Sequence, residues 1–452
     1  LKNNEKGSYR ENWRGRLGFI LASAGFAIGL GNIWRFPYVA GNNGGGAFLL
    51  IYVLIVLLIG IPLFYAEAGL GRKVQTSAVM GFRKLTKKGS PWVLIAWLGL
   101  VASGLIMSYY IMIMGWIFFY IVQVASGAFK DATTEQVVAT FDHLVTNPTQ
   151  VFGYSLIPVI IIGFVVAKGV RNGIERFSRF FMPVLFLLLV VLAIYSLSLP
   201  GALEGVVWYL KPDFSVITPS TFLEALGQAF FSVGIGFAAA FTYGSYLKPK
   251  TSNLVSDGAW VVILDTLIAF IAGLVIFPAL FAFNIAPNSG TGLLFVTIPN
   301  MIDLLPGGIF IGLLFFFLFT IAALTTGVGL VETIVANLAD LTGLKRTTSV
   351  MLTLSIMVLF SIPSILSQGP WSHIQMFGMD IFGIIDYISG NILLTISGLM
   401  LSLYIVFVWK FENYRKDLNI GAVGLKVSAT LKPVINVLIP VSIMIILLSM
   451  IL

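Results

Sequence analysis

No cysteine occurs in this chain, which excludes disulfides, thiolate nucleophiles and cysteine-ligated metals. Histidine is almost missing too. His143 and His373 are the only two, both in predicted exterior segments far from the embedded acids, so no catalytic or metal-ligating constellation is formed and the chain is not read as an enzyme. Charged residues make up only 10% of the chain against 58% hydrophobic, more apolar surface than a soluble core of this length hides. Lipid must be the solvent. The apolar runs lack two-residue alternation, which excludes a β-barrel. No usable glycosylation sequon is found in the exterior loops, because Asn147-Pro148-Thr149 carries the forbidden proline. A bacterial inner membrane fits best.

What is present is a series of eleven apolar runs, each long enough to cross the hydrocarbon layer as a helix. They cover roughly 17–42, 46–72, 90–126, 150–168, 177–199, 221–247, 256–284, 308–341, 347–367, 379–410 and 432–452. The first contains Arg35 and is followed by ten more, so it is read as a span and not as a signal peptide. The net charge of +8 would suggest nucleic acid in a soluble protein. Here all basic residues but Arg35, Lys130 and Lys211 fall before the first run or in alternate loops, so the charge is a topology signal. It places the amino terminus inside the cell and, after eleven spans, the carboxyl terminus outside. No nucleic acid and no obligate protein partner is implied.

Two runs are rich in residues that poor membrane helices share: AGFAIGLGNIWRFP at 24–37 and FFSVGIGFAAAF at 230–241. Backbone unwound at membrane depth is tolerated only where it lines a cavity or is buried in protein, so both breaks are candidate binding sites. They stand five spans apart, which gives 17–199 and 221–410 opposite orientation, as an inverted repeat requires. The segment 1–16 is then a cytoplasmic amino-terminal stretch, and 432–452 lies outside the repeat. Glycine used for close helix packing is the competing reading. The exterior loop 285–307, with prolines around an apolar run at 292–305, reads as a re-entrant or lid-like helix. The run from Gly173 to Pro183 is a candidate for partial unwinding during transport.

The motif at 24–37, NNGGGAFLL at 42–50, GQAFFSVGIGFAAAFTYGSY at 227–246 and IAALTTGVG at 321–329 together resemble the neurotransmitter:sodium symporter family, most of all its bacterial amino-acid branch. The resemblance implies two sodium sites. One takes the Ala27 carbonyl, Asn32, Ser232 and Asp265, with the substrate carboxylate completing it; the other takes carbonyls of Gly25, Ile28 and Ala322 with the hydroxyls of Thr325 and Thr326. Residues 322, 325 and 326 share one face of a helix. Without the resemblance, both threonines read more readily as bonded back to their own helix than as ligands. A bare sodium ion at mid-depth needs such oxygens to replace its hydration.

The resemblance further implies that a substrate carboxylate meets backbone N–H groups near Leu30 and Gly31, with Tyr110 donating to it. Phe26, Ile106, Tyr110, Phe231, Gly234, Phe237 and Leu330 would surround a hydrophobic side chain, and Gly234 would leave room for a bulky one. Gly29 stands where amine-transporting relatives carry an acid and is expected to leave that place empty, so an amino acid bringing its own carboxylate is implied. Arg35 and Asp386 would form an outer gate, although Arg35 could instead snorkel to the interface. Arg10, Trp13 and Asp340 would form an inner latch. Glu67 and Glu332 would accept hydrogen bonds from the loosened sixth span. Asp265 places a negative charge where the related chloride pocket would use Tyr52, Gln228, Ser232 and position 269, here Ala269, so chloride is not expected. The function implied is sodium-coupled import of hydrophobic L-amino acids, the alternative being a proton-coupled transporter of the same fold with Asp265 as proton carrier. A channel would need a continuous polar pore, which this pattern lacks.

Overall fold

The computed structural model describes residues 11–284, 295–302 and 307–449. Among the described residues nine helices are long and apolar enough to cross a bilayer. They are Gly46–Val74, Pro91–Ala125, Pro148–Ala167, Val170–Leu197, Leu254–Ala282, Gly308–Thr342, Arg346–Ser367, Ile381–Trp409 and Ala429–Ser449, here spans 2, 3, 4, 5, 7, 8, 9, 10 and 11. Span 1 is a pair, Arg16–Ala27 and Gly31–Asn42, bent by 52°. Span 6 is also in two pieces, Pro219–Val233 and Ala239–Gly244, neither long enough to cross alone. Each of the eleven apolar runs therefore has its helix or broken helix.

The breaks have local causes. After Ala27 the chain leaves helical geometry at Ile28, whose ψ is 93°, and Gly29 lets it turn without a side chain before helix resumes as a wide turn from Gly31 to Arg35. In span 6, Gly234 and Gly236 have φ of +74° and +84°, a region open to glycine and costly for other residues. Ala238, at +61°, holds it anyway, a strain of about 1–2 kcal/mol that surrounding contacts must offset. Helix cannot propagate through such a stretch.

Span 5 begins at Val170, seven residues before the apolar run suggested, because Gly169 (φ +87°) reverses the chain and Val170–Glu175 winds as a wide turn feeding the helix. The helix then continues through Pro183, so the Gly173–Pro183 segment is wound in this structure. In the proline-rich loop, Thr297–Ile302 is helical; residues 285–294 and 303–306 of the expected lid element lie outside the described residues.

Spans 1 and 6 sit centrally, span 1 packing on spans 7 and 8, and span 3 packing on span 8. The second half of span 6 is held against span 2 at backbone distance. A Cβ on Gly71 would meet the Phe241 carbonyl and one on Gly244 the Ala68 carbonyl, so glycine is what lets these two helices approach.

Candidate functional site

Three buried polar side chains meet between the two breaks. Asn32 comes from the turn that restarts span 1, Ser232 from the last turn before the break in span 6, and Asp265 from span 7; none is exposed. The Asn32 amide donates to Asp265 Oδ1 at 2.7 Å, to the Asp265 carbonyl at 3.0 Å and to Ser232 Oγ at 3.1 Å. Ser232 donates to Asp265 Oδ2 at 2.7 Å, and Tyr52 donates to Ser232 at 3.1 Å. Asn32 Oδ1 accepts from the Gly29 N–H at 3.3 Å, and Ala27 closes the helix just before. Among the described residues no lysine, arginine or histidine forms an ion pair with Asp265. A carboxylate buried without a countercharge is driven to take up a cation or a proton.

On the other side of span 1 the two threonines behave differently. Thr326 donates across to the Phe26 carbonyl at 2.9 Å. Thr325 bonds back to its own helix, to the Ile321 and Ala322 carbonyls at 2.9 and 3.0 Å. Ile28 closes the last turn before the break through a 2.7 Å bond to the Ala24 carbonyl. Gly25 packs so closely that a Cβ there would lie 3.4 Å from Thr325 Cβ and 3.1 Å from Met182 Sδ. Gly25 and Phe26 of span 1 thus meet Thr325 and Thr326 of span 8 at one narrow contact, with Ile28 and Ala322 on the two adjoining helix segments. Both hydroxyls act as donors here, and rotation would turn their lone pairs toward a cation.

Tyr110 on span 3 reaches the first break, where its hydroxyl accepts from the Leu30 N–H at 3.3 Å. Phe26 and Phe237 meet edge to face at 5.6 Å, Phe231 lies 6.1 Å from Phe237, and Ile106 and Leu330 are buried. A Cβ on Gly31 would come within 2.7 Å of the Phe231 ring. Two spaces expected to be open are filled. A Cβ at Gly29 would fall on the Thr326 hydroxyl and 3.1 Å from that of Tyr110, so two hydroxyls occupy the place where an acid would stand. A Cβ at Gly234 would fall on the Phe26 ring, so any larger group there requires Phe26 to move. A cavity of about 110 Å³ lies beyond, lined by Leu30, Gly31, Trp34, Arg35, Phe231 and Asp386 among others.

Arg35 and Asp386 border that cavity without pairing. Arg35 donates to Gln228 Oε1 at 2.8 Å and lies over the Phe231 ring at 5.2 Å, while Asp386 accepts from Tyr109 at 2.8 Å. Gln228 also donates to the Gly31 carbonyl at 2.9 Å, tying Arg35 to the break. At the opposite end Trp13 is buried against the second half of span 6. Its backbone N–H donates to the Tyr246 carbonyl at 3.1 Å and its indole to the Tyr243 carbonyl at 3.0 Å. Asp340 accepts from Thr76 Oγ1 and the Ser77 N–H at 2.9 and 2.7 Å. Arg10 lies outside the described residues.

Glu67 accepts from the Gly236 N–H at 2.6 Å, bracing the second break. Glu332 accepts from Tyr246 at 2.5 Å and forms a two-pronged pair with Arg346. Sequence reasoning missed Arg346, which it counted only as a loop charge. It also missed Glu11 and Glu175, which fasten the amino-terminal segment to the start of span 5. Glu11 accepts from the Val170 N–H at 2.5 Å and Glu175 from the Arg14 N–H at 2.9 Å. For Glu175 a carboxylate within helix at a cytoplasm-predicted end was the available signal; Glu11 lies outside any helix.

The sequence profile described as the sodium:neurotransmitter symporter family matches residues 10–135 and 129–452. The chain belongs to that family. It is a membrane transporter and not an enzyme, and its transport is sodium-dependent. An uncharacterized sodium-dependent transporter of Bacillus subtilis is 43% identical over 87% of both chains. A sodium- and chloride-dependent creatine transporter of Homo sapiens is 30% identical over 84% of this chain and 67% of its own. Among solved structures, MhsT in complex with L-phenylalanine superposes with a TM-score of 0.90 at 39% identity, covering 97% of this chain and 99% of MhsT. The symporter thus shares the MhsT fold from end to end.

Proposed function

We propose that this symporter imports hydrophobic L-amino acids, aliphatic and aromatic, together with sodium, by alternating access. The observation that carries the sodium part is the buried Asp265 carboxylate, held by Asn32 and Ser232 from the two broken spans with no cationic partner among the described residues. A sodium ion as co-substrate there meets a full negative charge and uncharged oxygens, the ligands a hard cation prefers. The substrate carboxylate would complete the set, which couples the two solutes. Thr325 and Thr326 with the Gly25, Ile28 and Ala322 carbonyls would take a second sodium.

The substrate class rests on the apolar surroundings of Phe26, Ile106, Tyr110, Phe231, Phe237 and Leu330, and on the likeness to a structure holding L-phenylalanine. Gly29 offers no acid to an amine. Asp265 supplies the charge that chloride would otherwise bring, so transport should be chloride-independent. The basic loops favour an amino terminus in the cytoplasm and a carboxyl terminus outside, and a bacterial inner membrane is the membrane we infer. Residues 17–199 and 221–410 are read as the two inverted repeats, flanked by the 1–16 segment and the helix at 432–452.

Equilibrium binding of tritiated L-phenylalanine to the purified protein tests this reading. Binding is expected in sodium and absent in potassium or choline, and unchanged when gluconate replaces chloride. Binding without sodium that strengthens as pH falls would favour a proton-coupled transporter. No binding under any ion would overturn the substrate class.

A further inference from the structure

Between the end of span 9 at Ser367 and the start of span 10 at Ile381, the chain forms a tight hairpin. Met376 and Met379 exchange both backbone hydrogen bonds, at 2.9 and 3.0 Å, leaving Phe377 and Gly378 at the tip with φ of +55° and +75°. Turns with two left-handed residues suit Asn-Gly, and a phenylalanine at the first position is strained. Phe377 is also 90% exposed and Met376 57%. A large aromatic side chain is therefore held where backbone and water both disfavour it. Strain of this kind asks for a role that outweighs it.

The surroundings say what that role is. Trp371 and Ile374 are exposed as well, and residues 369–379 contain no lysine, arginine, aspartate or glutamate. Other loops on the same face carry Lys130, Asp131, Glu135, Lys211 and Asp213. The next acid, Asp380, is turned back on the chain, accepting from the Gly383 N–H at 2.7 Å and from Gln368. The hairpin joins the ends of two spans, which puts it near the margin of any hydrocarbon layer they cross, and Leu359 and Phe360 of span 9 are exposed apolar residues as well.

We propose that the 371–379 hairpin is a lipid anchor, with Phe377 and Met376 inserted among the headgroups of the leaflet opposite the amino terminus and Trp371 at the boundary. Aromatic residues are favoured at that depth, and a short apolar protrusion gains from entering the interface in the way an amphipathic segment does. The proposal needs the chain to span a membrane and is independent of which solute it carries.

The absence of cysteine makes the test direct. Phe377→Cys and Met376→Cys are each labelled with a nitroxide in vesicles of phosphatidylethanolamine and phosphatidylglycerol, and collision with oxygen is compared with collision with a water-soluble nickel chelate. Leu359→Cys, on the exposed side of span 9, gives the lipid reference, and Ala139→Cys, on an exposed helix of the same face, gives the water reference. Both hairpin labels should show oxygen-to-nickel ratios several-fold above the Ala139 label. Ratios equal to that label would place the tip in water and overturn the proposal. Protection from both reagents that changes on adding sodium and L-phenylalanine would place it over the substrate path instead, which also overturns it. Two labelled positions guard against one substitution disturbing the turn.

Discussion

On the proposed reading, Asp265 and the pair Thr325–Thr326 are where single atoms would decide how the symporter couples its solutes. Asp265→Asn removes the only formal charge in the Asn32–Ser232–Asp265 cluster. The expected result is at least a tenfold weaker sodium response, about 1.4 kcal/mol, in sodium titrations of L-phenylalanine binding, with partial recovery on adding chloride. An unchanged response would show that the charge is held for another purpose. The threonines separate by direction. Thr326 bonds across to span 1 and Thr325 to its own helix. In sodium-free buffer Thr326→Val should therefore cost about 1 kcal/mol of thermal stability and Thr325→Val clearly less, while both weaken the sodium response. Equal losses in stability would contradict the geometry. The sequence put both residues on one helix face, but which hydroxyl crosses the gap depends on side-chain torsions and on where span 1 ends, and neither is written in a spacing.

At the scale of the element, both breaks were legible because glycine and small residues cluster where a membrane helix would normally be continuous. What fills the breaks was not. Gly234 looked like open space and is covered by the Phe26 ring; Gly29 looked empty and faces two hydroxyls. A missing Cβ says that something comes close, and only the fold says what. Gly234→Ala places a side chain at φ +74° and against Phe26. It should destabilise the protein by about 1–2 kcal/mol and weaken L-phenylalanine binding more than L-leucine binding, since the displaced ring takes the room an aromatic substrate would use. Competition binding of the two amino acids checks it, and a loss equal for both would argue that Phe26 does not shape the pocket. Arg35 and Asp386, expected as gate partners, border one vestibule without pairing in this structure, where Arg35 engages Gln228 and Asp386 engages Tyr109.

Across the whole molecule, alternating access needs one end shut while the other opens. At the amino-terminal end the structure is fastened by Trp13 on span 6 and by the Glu332 pair with Arg346 and Tyr246. Glu332→Gln removes the charge paired with Arg346. It should cost about 2–3 kcal/mol and lower apparent sodium affinity, because less of the population holds the closed arrangement that binds. Melting curves with a sodium titration measure both, and stability lost without any change in sodium affinity would separate the latch from the transport cycle. The eleven apolar runs and the charge bias were readable because lipid imposes them on every span. Trp13 and Glu332 were legible as residues of that end, but Arg346 as the partner of Glu332 was not, because contacts between helices follow no fixed spacing. The most direct test of the central claim is uptake of radiolabelled L-phenylalanine into proteoliposomes under separately imposed sodium and proton gradients. Sodium alone should drive accumulation, with chloride irrelevant and Asn32→Ala inactive. Accumulation driven by protons in the absence of sodium would contradict the account.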